Sequence, residues 1–188
     1  MAEQLKNRKI AVLATDGFEQ SELIEPRDSL RKAGAQVDVV SPKSGKIRGW
    51  KTDDWGDEVA VDVELEKADP EGYDALVLPG GVINPDSLRT EAAAVGFVRS
   101  FFEQHKPVAA ICHGPWTLVE ADVLEGRRVT SYASIRRDLA NAGAQWVDEA
   151  VVVDDGLITS RTPKDLPAFI EKTIEVVAAS RATAHKAA

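Results

Sequence analysis

The segment Pro107-Val-Ala-Ala-Ile-Cys112-His113-Gly114-Pro115-Trp116 holds the residues best suited to chemistry: the chain's only cysteine, followed at once by a histidine. The apolar run before Cys112 reads as a buried strand. Pro115 suits the first turn of a helix, where its missing N–H costs nothing. That order puts Cys112 on a sharp strand-to-helix turn, the geometry of a nucleophile elbow. Such a turn exposes the sulfur above the sheet edge, beside the positive end of a helix. Thiolate, the reactive form, is favoured there. A single cysteine otherwise serves as a small buried hydrophobe; the flanking order favours the reactive reading.

A thiolate nucleophile needs one group to lower its pKa and another to bind a developing oxyanion. In Asp16-Gly-Phe-Glu19-Gln-Ser-Glu22, a protonated Glu19 facing the sulfur would donate to it and favour thiolate. Equally, Glu19 reads as a first-turn acid stabilising a helix dipole. The His113 backbone N–H follows the nucleophile directly, where an elbow places an oxyanion donor. Gly80-Gly81 offers a second N–H or simply a turn. Only His105, His113 and His185 are available for a Cys-His dyad. His105 precedes the elbow strand and belongs at the far end of the sheet, and His185 lies in the tail, so His113 is the candidate. Its adjacency to Cys112 argues against direct contact of the two side chains. Asp86 could orient His113, within the chain or across a subunit contact, or it could cap a short helix at Ser87. One cysteine and three scattered histidines do not make a zinc set, and Pro79-Gly-Gly is too weak to count as a phosphate loop. No metal or other cofactor is expected.

The elements that must position these residues follow from the pattern. Ile10–Thr15, Gln36–Val40, Ala75–Leu78 and Pro107–Ile111 are short apolar runs of buried-strand character. They alternate with helical segments Glu19–Ala33, Glu91–His105 and Pro115–Ala121, the first containing Pro26 and closed by Gly34. Between residues 43 and 66, glycines, Trp50 and Trp55 predict a hairpin excursion. Further on, Arg128–Tyr132 and Val147–Val153 read as strands and Ser134–Asn141 as a helix. Asp154-Asp-Gly156 turns into a strand from Leu157, and Pro163–Ala179 is the last helix. Strands separated by helices imply a doubly wound α/β fold with a mainly parallel sheet, whose ligands bind beyond the strand carboxyl ends. The loops 15–19, 79–86 and 112–115 are expected to converge there.

Composition bounds the rest. At 188 residues the chain suits one domain, expected over 8–180 with a flexible tail over 181–188. A net charge of −8 argues against nucleic acid as a stable partner and against a membrane surface. No apolar run approaches the ~20 residues of a membrane span. A lone cysteine and a polar N-terminus point to a reducing cytoplasm.

The motifs Ala75-Leu-Val-Leu-Pro-Gly-Gly81 and Ala110-Ile-Cys112-His113-Gly-Pro115 resemble the ThiJ/PfpI superfamily. Thr130-Ser-Tyr, Asn141-Ala-Gly-Ala-Gln-Trp146-Val-Asp, Val151-Val-Val-Asp and Thr159-Ser-Arg-Thr-Pro163 resemble its PfpI branch, so the likeness runs from Ile10 to Ala179. The resemblance implies a flavodoxin-like three-layer sandwich, similar to class I glutamine amidotransferases, assembled as a homodimer or homohexamer. It implies Cys112 as nucleophile, His113 as its dyad partner, Glu19 as the glutamate beside it, and Gly81 with the His113 amide as the oxyanion site. Some branches take an acid from a neighbouring subunit near Pro85-Asp86, where Asp86 is the acid available. Glutaminase chemistry needs a distal His-x-Glu, which His185-Lys-Ala187 is not. The activity implied is a cofactor-free, stress-protective glyoxalase or deglycase acting on methylglyoxal and its early adducts. The alternatives are an intracellular cysteine peptidase and, in another class, a redox-sensing or chaperone-like stress protein.

Overall fold

The computed structural model describes residues 3–181. The predicted tail, from residue 182 on, lies outside them, as does His185. The chain opens with β1 (Lys9–Leu13), β2 (Phe18–Glu19), α1 (Gln20–Lys32) and β3 (Gln36–Ser41). The glycine-rich excursion follows as β4 (Lys46–Lys51) and β5 (Asp54–Ala60), then β6 (Val63–Glu64). Next come β7 (Ala75–Leu78), α2 (Ile83–Leu88), α3 (Ala92–Glu103), β8 (Val108–Ile111) and α4 (Trp116–Glu120). The last part holds β9 (Arg128–Val129), α5 (Arg136–Asn141), β10 (Gln145–Trp146), β11 (Val151–Asp154), β12 (Leu157–Ser160) and α6 (Leu166–Ala179).

Seven strands form one sheet in the order β11-β12-β8-β7-β1-β3-β6. All neighbours are parallel except the β11–β12 hairpin. The runs that lack polar alternation are apolar because both faces are covered. On β1, Ile10 and Val12 pack with Leu23 and Leu30 of α1 and Phe169 and Val177 of α6. Ala11 and Leu13 pack on the opposite side with Phe97, Val98 and Phe101 of α3 and Leu118 of α4. The same alternation holds on β7, where Ala75 and Val77 face one layer and Leu76 and Leu78 the other. This is the expected three-layer α/β sandwich.

Helix α1 runs unbroken through Pro26, and Gly34 turns the chain at φ +101° just beyond its end. The excursion is a hairpin, β4 against β5, joined by β2 into a small separate sheet. Trp50 and Trp55 meet edge to face across it at 5.5 Å. The late strands differ from expectation. Arg128–Tyr132 is a strand only at Arg128–Val129, which pairs with β10 apart from the main sheet. The valine run becomes strand only at Val151, because its ladder partner β12 is four residues long. Residues 133–135 form a 3-10 turn ahead of α5.

Candidate functional site

The three loops converge beyond the carboxyl ends of β1, β7 and β8. Glu19 N–H donates to the Gly80 carbonyl at 3.3 Å, joining the first loop to the second. Asn84, fully buried in α2, holds both: its Oδ1 accepts from Thr15 N–H at 2.8 Å. Its amide donates to the carbonyls of Pro79 at 3.0 Å and Gly80 at 3.2 Å.

Cys112 sits at φ +61°, in the left-handed region, where a non-glycine residue costs about 1–3 kcal/mol unless its surroundings hold it. Here they do. Cys112 N–H donates to Ser160 O at 3.1 Å, Tyr132 N–H donates to Cys112 O at 2.9 Å, and Gly114 N–H closes the turn onto Ile111 O at 2.8 Å. The elbow predicted from sequence is therefore present. The helix after it is not the electrostatic device expected. α4 spans only Trp116–Glu120 and begins four residues beyond the sulfur. The backbone amides of Gly81 and His113 point at the sulfur instead and favour its thiolate.

The carboxyl beside the sulfur is that of Glu22, which corrects the expectation for Glu19. Glu19 is the N-cap of α1: its carboxylate accepts from Glu22 N–H at 3.0 Å and from the Ser21 hydroxyl. This satisfies a helix-end donor and aims the group along the helix rather than at the elbow. Glu22, one turn on, points inward and is fully buried. Its Oε2 accepts from Gly80 N–H at 2.9 Å, and its carboxyl lies close enough to the Cys112 sulfur for each group to influence the other's ionisation. Gly80 has to be glycine here, since a Cβ would lie 2.4 Å from Glu22 Oε2 and 2.6 Å from Cys112 Cβ. Burial first, and the nearby charge of Glu19 second, push the Glu22 carboxyl up to about 8. Burial also pushes the Cys112 thiol up, as does Glu22 whenever it is ionised. The two acids share one buried pocket, so loss of one proton leaves a monoanion and loss of the second is strongly disfavoured.

His113 reaches the sulfur, contrary to what its adjacency suggested: Nδ1 lies 3.3 Å from Cys112 Sγ. The positive φ of Cys112 folds the two neighbouring side chains to the same side. Tyr132 stacks on the imidazole with ring centroids 4.8 Å apart, and Trp116 meets its edge at 5.1 Å. Burial holds the imidazole below the usual histidine range. Its Nε2 lies 3.0 Å from Ser134 Oγ. Asp86 is not its partner within the chain. It lies exposed inside α2, neither orienting His113 nor capping a helix at Ser87, because α2 begins at Ile83.

Gly81, at φ +78°, presses against Gly17 O and Glu19 N, so a side chain there would clash with both. Sequence reasoning missed Glu22 and Ser134. A signal for Glu22 was present: it shares the apolar stripe of α1 with Leu23, Pro26 and Leu30, and an acid on such a stripe needs a reason to be buried. For Ser134 no comparable signal exists. Among the described residues no group of histidines, cysteines and carboxylates is arranged to hold a metal, and no helix is long and apolar enough to cross a membrane.

Residues 8–176 match the family described as DJ-1/PfpI. Protein/nucleic acid deglycase 2 of Escherichia coli (strain K12) is 46% identical over 175 residues, covering 92% of this chain and 99% of that protein. YraA of Bacillus subtilis (strain 168), named as a candidate cysteine protease, is 42% identical over 171 residues, covering 91% and 99%. The crystal structure of Drosophila melanogaster DJ-1beta superposes with a TM-score of 0.83 at 29% identity, covering 96% of this chain and 92% of that one. With a buried glutamate against an elbow cysteine and a match over most of its length, the chain belongs to the DJ-1/PfpI family.

Proposed function

We propose that the protein is a cysteine-dependent enzyme of reactive-carbonyl defence, working as a cofactor-free glyoxalase or deglycase on methylglyoxal and its early adducts. The observation that carries this reading is the fully buried Glu22 carboxyl at the Cys112 elbow, whose Oε2 accepts from Gly80 N–H at 2.9 Å and whose burial favours its protonated form. A carboxylic acid there stabilises a thiolate without placing a second negative charge in the pocket. The thiolate adds to the aldehyde carbon of methylglyoxal, and the new oxyanion is held by the amides of Gly81 and His113. Glu22 passes its proton to that oxyanion, and the resulting carboxylate takes the proton from the carbon and delivers it to the neighbouring one. A thioester of lactate results, with oxidation of one carbon balanced by reduction of the other. Water cleaves the thioester, releasing lactate and the thiol. An adduct first loses its amine, which departs with a proton, and then follows the same path. The name of the Escherichia coli relative supports a glycated substrate.

Lactate formation from methylglyoxal tests this. Cys112→Ser is expected to abolish it and Glu22→Gln to lower it by about 10²–10⁴-fold, the scale of a positioned acid–base group. Glu19→Gln is expected to retain most activity. No lactate from folded wild type would sink the reading.

Peptidase activity is the second reading, favoured by the 3.3 Å contact of Cys112 with His113 and by the name of YraA. It requires cleavage of unstructured peptides that disappears in Cys112→Ser. The protein is further proposed to work in a reducing cytoplasm as a homodimer or homohexamer. The lone thiol supports the first, and Val82 and Ile83, 54% and 43% exposed at the start of α2, support the second. Ile83→Asp should then lower the sedimentation coefficient.

A further inference from the structure

Cys112 and His113 are each only 7% exposed, so a proton leaving the sulfur has no direct contact with bulk water. The imidazole continues outward from the sulfur. Nδ1 faces Cys112 Sγ at 3.3 Å and Nε2 faces Ser134 Oγ at 3.0 Å. Ser134 is an exposed residue on the 3-10 turn ahead of α5. Tyr132 stacks on the ring and Trp116 meets it edge to face, and together they fix its plane.

We propose that Ser134 is the positioning residue of His113 and the exit by which the Cys112 proton reaches solvent. A neutral imidazole carries one N–H, and a hydroxyl can donate or accept. While Cys112 is a thiol, S–H donates to Nδ1, so Nε2 carries the ring proton and Ser134 Oγ accepts it. When the thiolate forms, Nδ1 takes the sulfur's proton and donates back to the sulfur. In the same concerted event Nε2 passes its own proton to Ser134 Oγ, whose original hydroxyl proton moves to water. One proton leaves the sulfur, one arrives in solvent, and the ring stays neutral throughout. That neutrality matches a ring whose burial disfavours the imidazolium. A carboxylate at the position of Ser134 would hold the Nε2–H tautomer only and block the exchange.

The inference rests on the carbonyl reading for its kinetic readout, so the test pairs kinetics with a measurement of the ring itself. Imidazole ¹⁵N shifts of His113 are followed through Cys112 ionisation in wild type, Ser134→Ala, Ser134→Thr and Asp86→Asn. Alongside, kcat and KM for methylglyoxal are measured. Wild type should switch from the Nε2–H to the Nδ1–H tautomer as the thiolate forms. Ser134→Ala should shift or broaden that switch and lower kcat about fivefold to tenfold at unchanged KM, the loss of one hydrogen bond. Ser134→Thr, which keeps the hydroxyl, should restore both. His113 shifts in Ser134→Ala that match wild type overturn the proposal, as do shifts that respond to Asp86→Asn instead, which would give Nε2 to a second copy's acid. If wild type makes no lactate yet Ser134→Ala alters the tautomer switch, the carbonyl reading fails while the role of Ser134 stands.

Discussion

Glu22 is buried in a state that most carboxyls never occupy in water. Its carboxyl lies near 8, raised from 4.5 by burial and by Glu19. The folded state therefore holds a proton that the unfolded chain releases. For an acid raised on folding, the contribution to stability is full below the unfolded pKa and disappears as pH climbs through the folded one. The total at stake is on the order of 5 kcal/mol. Relative to Glu22→Gln, wild type should lose stability steadily from about pH 4.5 to about 8 and level off beyond, in melts run at matched ionic strength. A constant difference across that range would mean that Glu22 is ionised in the native protein. The same titration should act on catalysis. Loss of one proton from the Glu22–Cys112 pair near pH 8 forms the attacking monoanion, so lactate formation should rise through about 8, a limb that Glu22→Gln lacks.

At the scale of elements, the site depends on loops that are stapled rather than merely adjacent. Asn84 bonds three backbone groups at once, on the loops after β1 and β7. Asn84→Ala takes this partner from Thr15 N–H and Pro79 O, each loss costing about 1–3 kcal/mol, while Gly80 O keeps the Glu19 N–H. The expected result is a loss of about 2–4 kcal/mol in denaturant unfolding, with a rise in KM as the Gly81 amide drifts. An unfolding midpoint equal to wild type would mean that water replaces the amide fully. The hairpin β4–β5 attaches differently, through Gln20 at the start of α1. Gln20 Nε2 donates to Asp57 Oδ2 at 2.9 Å, and Asp57 N–H donates to Gln20 Oε1 at 2.7 Å.

For the whole molecule, the side of the sheet away from the site is tied shut by Arg8. Its guanidinium donates to the carbonyls of Ala178 and Ser180 at the end of α6 and lies 3.6 Å from the carboxylate of Asp74, whose side chain is fully buried. Removing one partner of a buried pair leaves a buried charge with less compensation. Asp74 retains the Lys9 N–H at 2.7 Å, so Arg8→Met should cost about 2–4 kcal/mol, short of the full penalty for breaking a buried pair. Because Arg8 lies at the opposite end of the strands from Cys112, kcat of the folded protein should not change. A kcat that fell with Tm would show the two ends of the sheet to be coupled.

Local composition determined most of the fold. Apolar runs without alternation require a sheet covered on both faces, helices between them require parallel crossovers, and Cys112-His113-Gly114-Pro115 after such a run requires an elbow. The two-residue strand β10 was not legible in this way and β9 was read three residues too long, because the two exist through contact with one another and not through any periodicity of their own. At the site, the elbow that carries Cys112 and the amide after it was readable because backbone geometry is written in neighbouring residues. The identity of the acid was not. Glu19 and Glu22 are one helical turn apart, and which of them turns inward depends on where α1 begins and on its rotation against the sheet. The contact of Ser134 with His113 lies further still from local reading, since it joins residues 21 positions apart through the path of a loop. Chain-local geometry is set by sterics and propensity within a few residues. Which side chain fills a pocket is set by packing over the whole sandwich, and only the tertiary structure decided that Glu22, and not Glu19, lies buried beside Cys112.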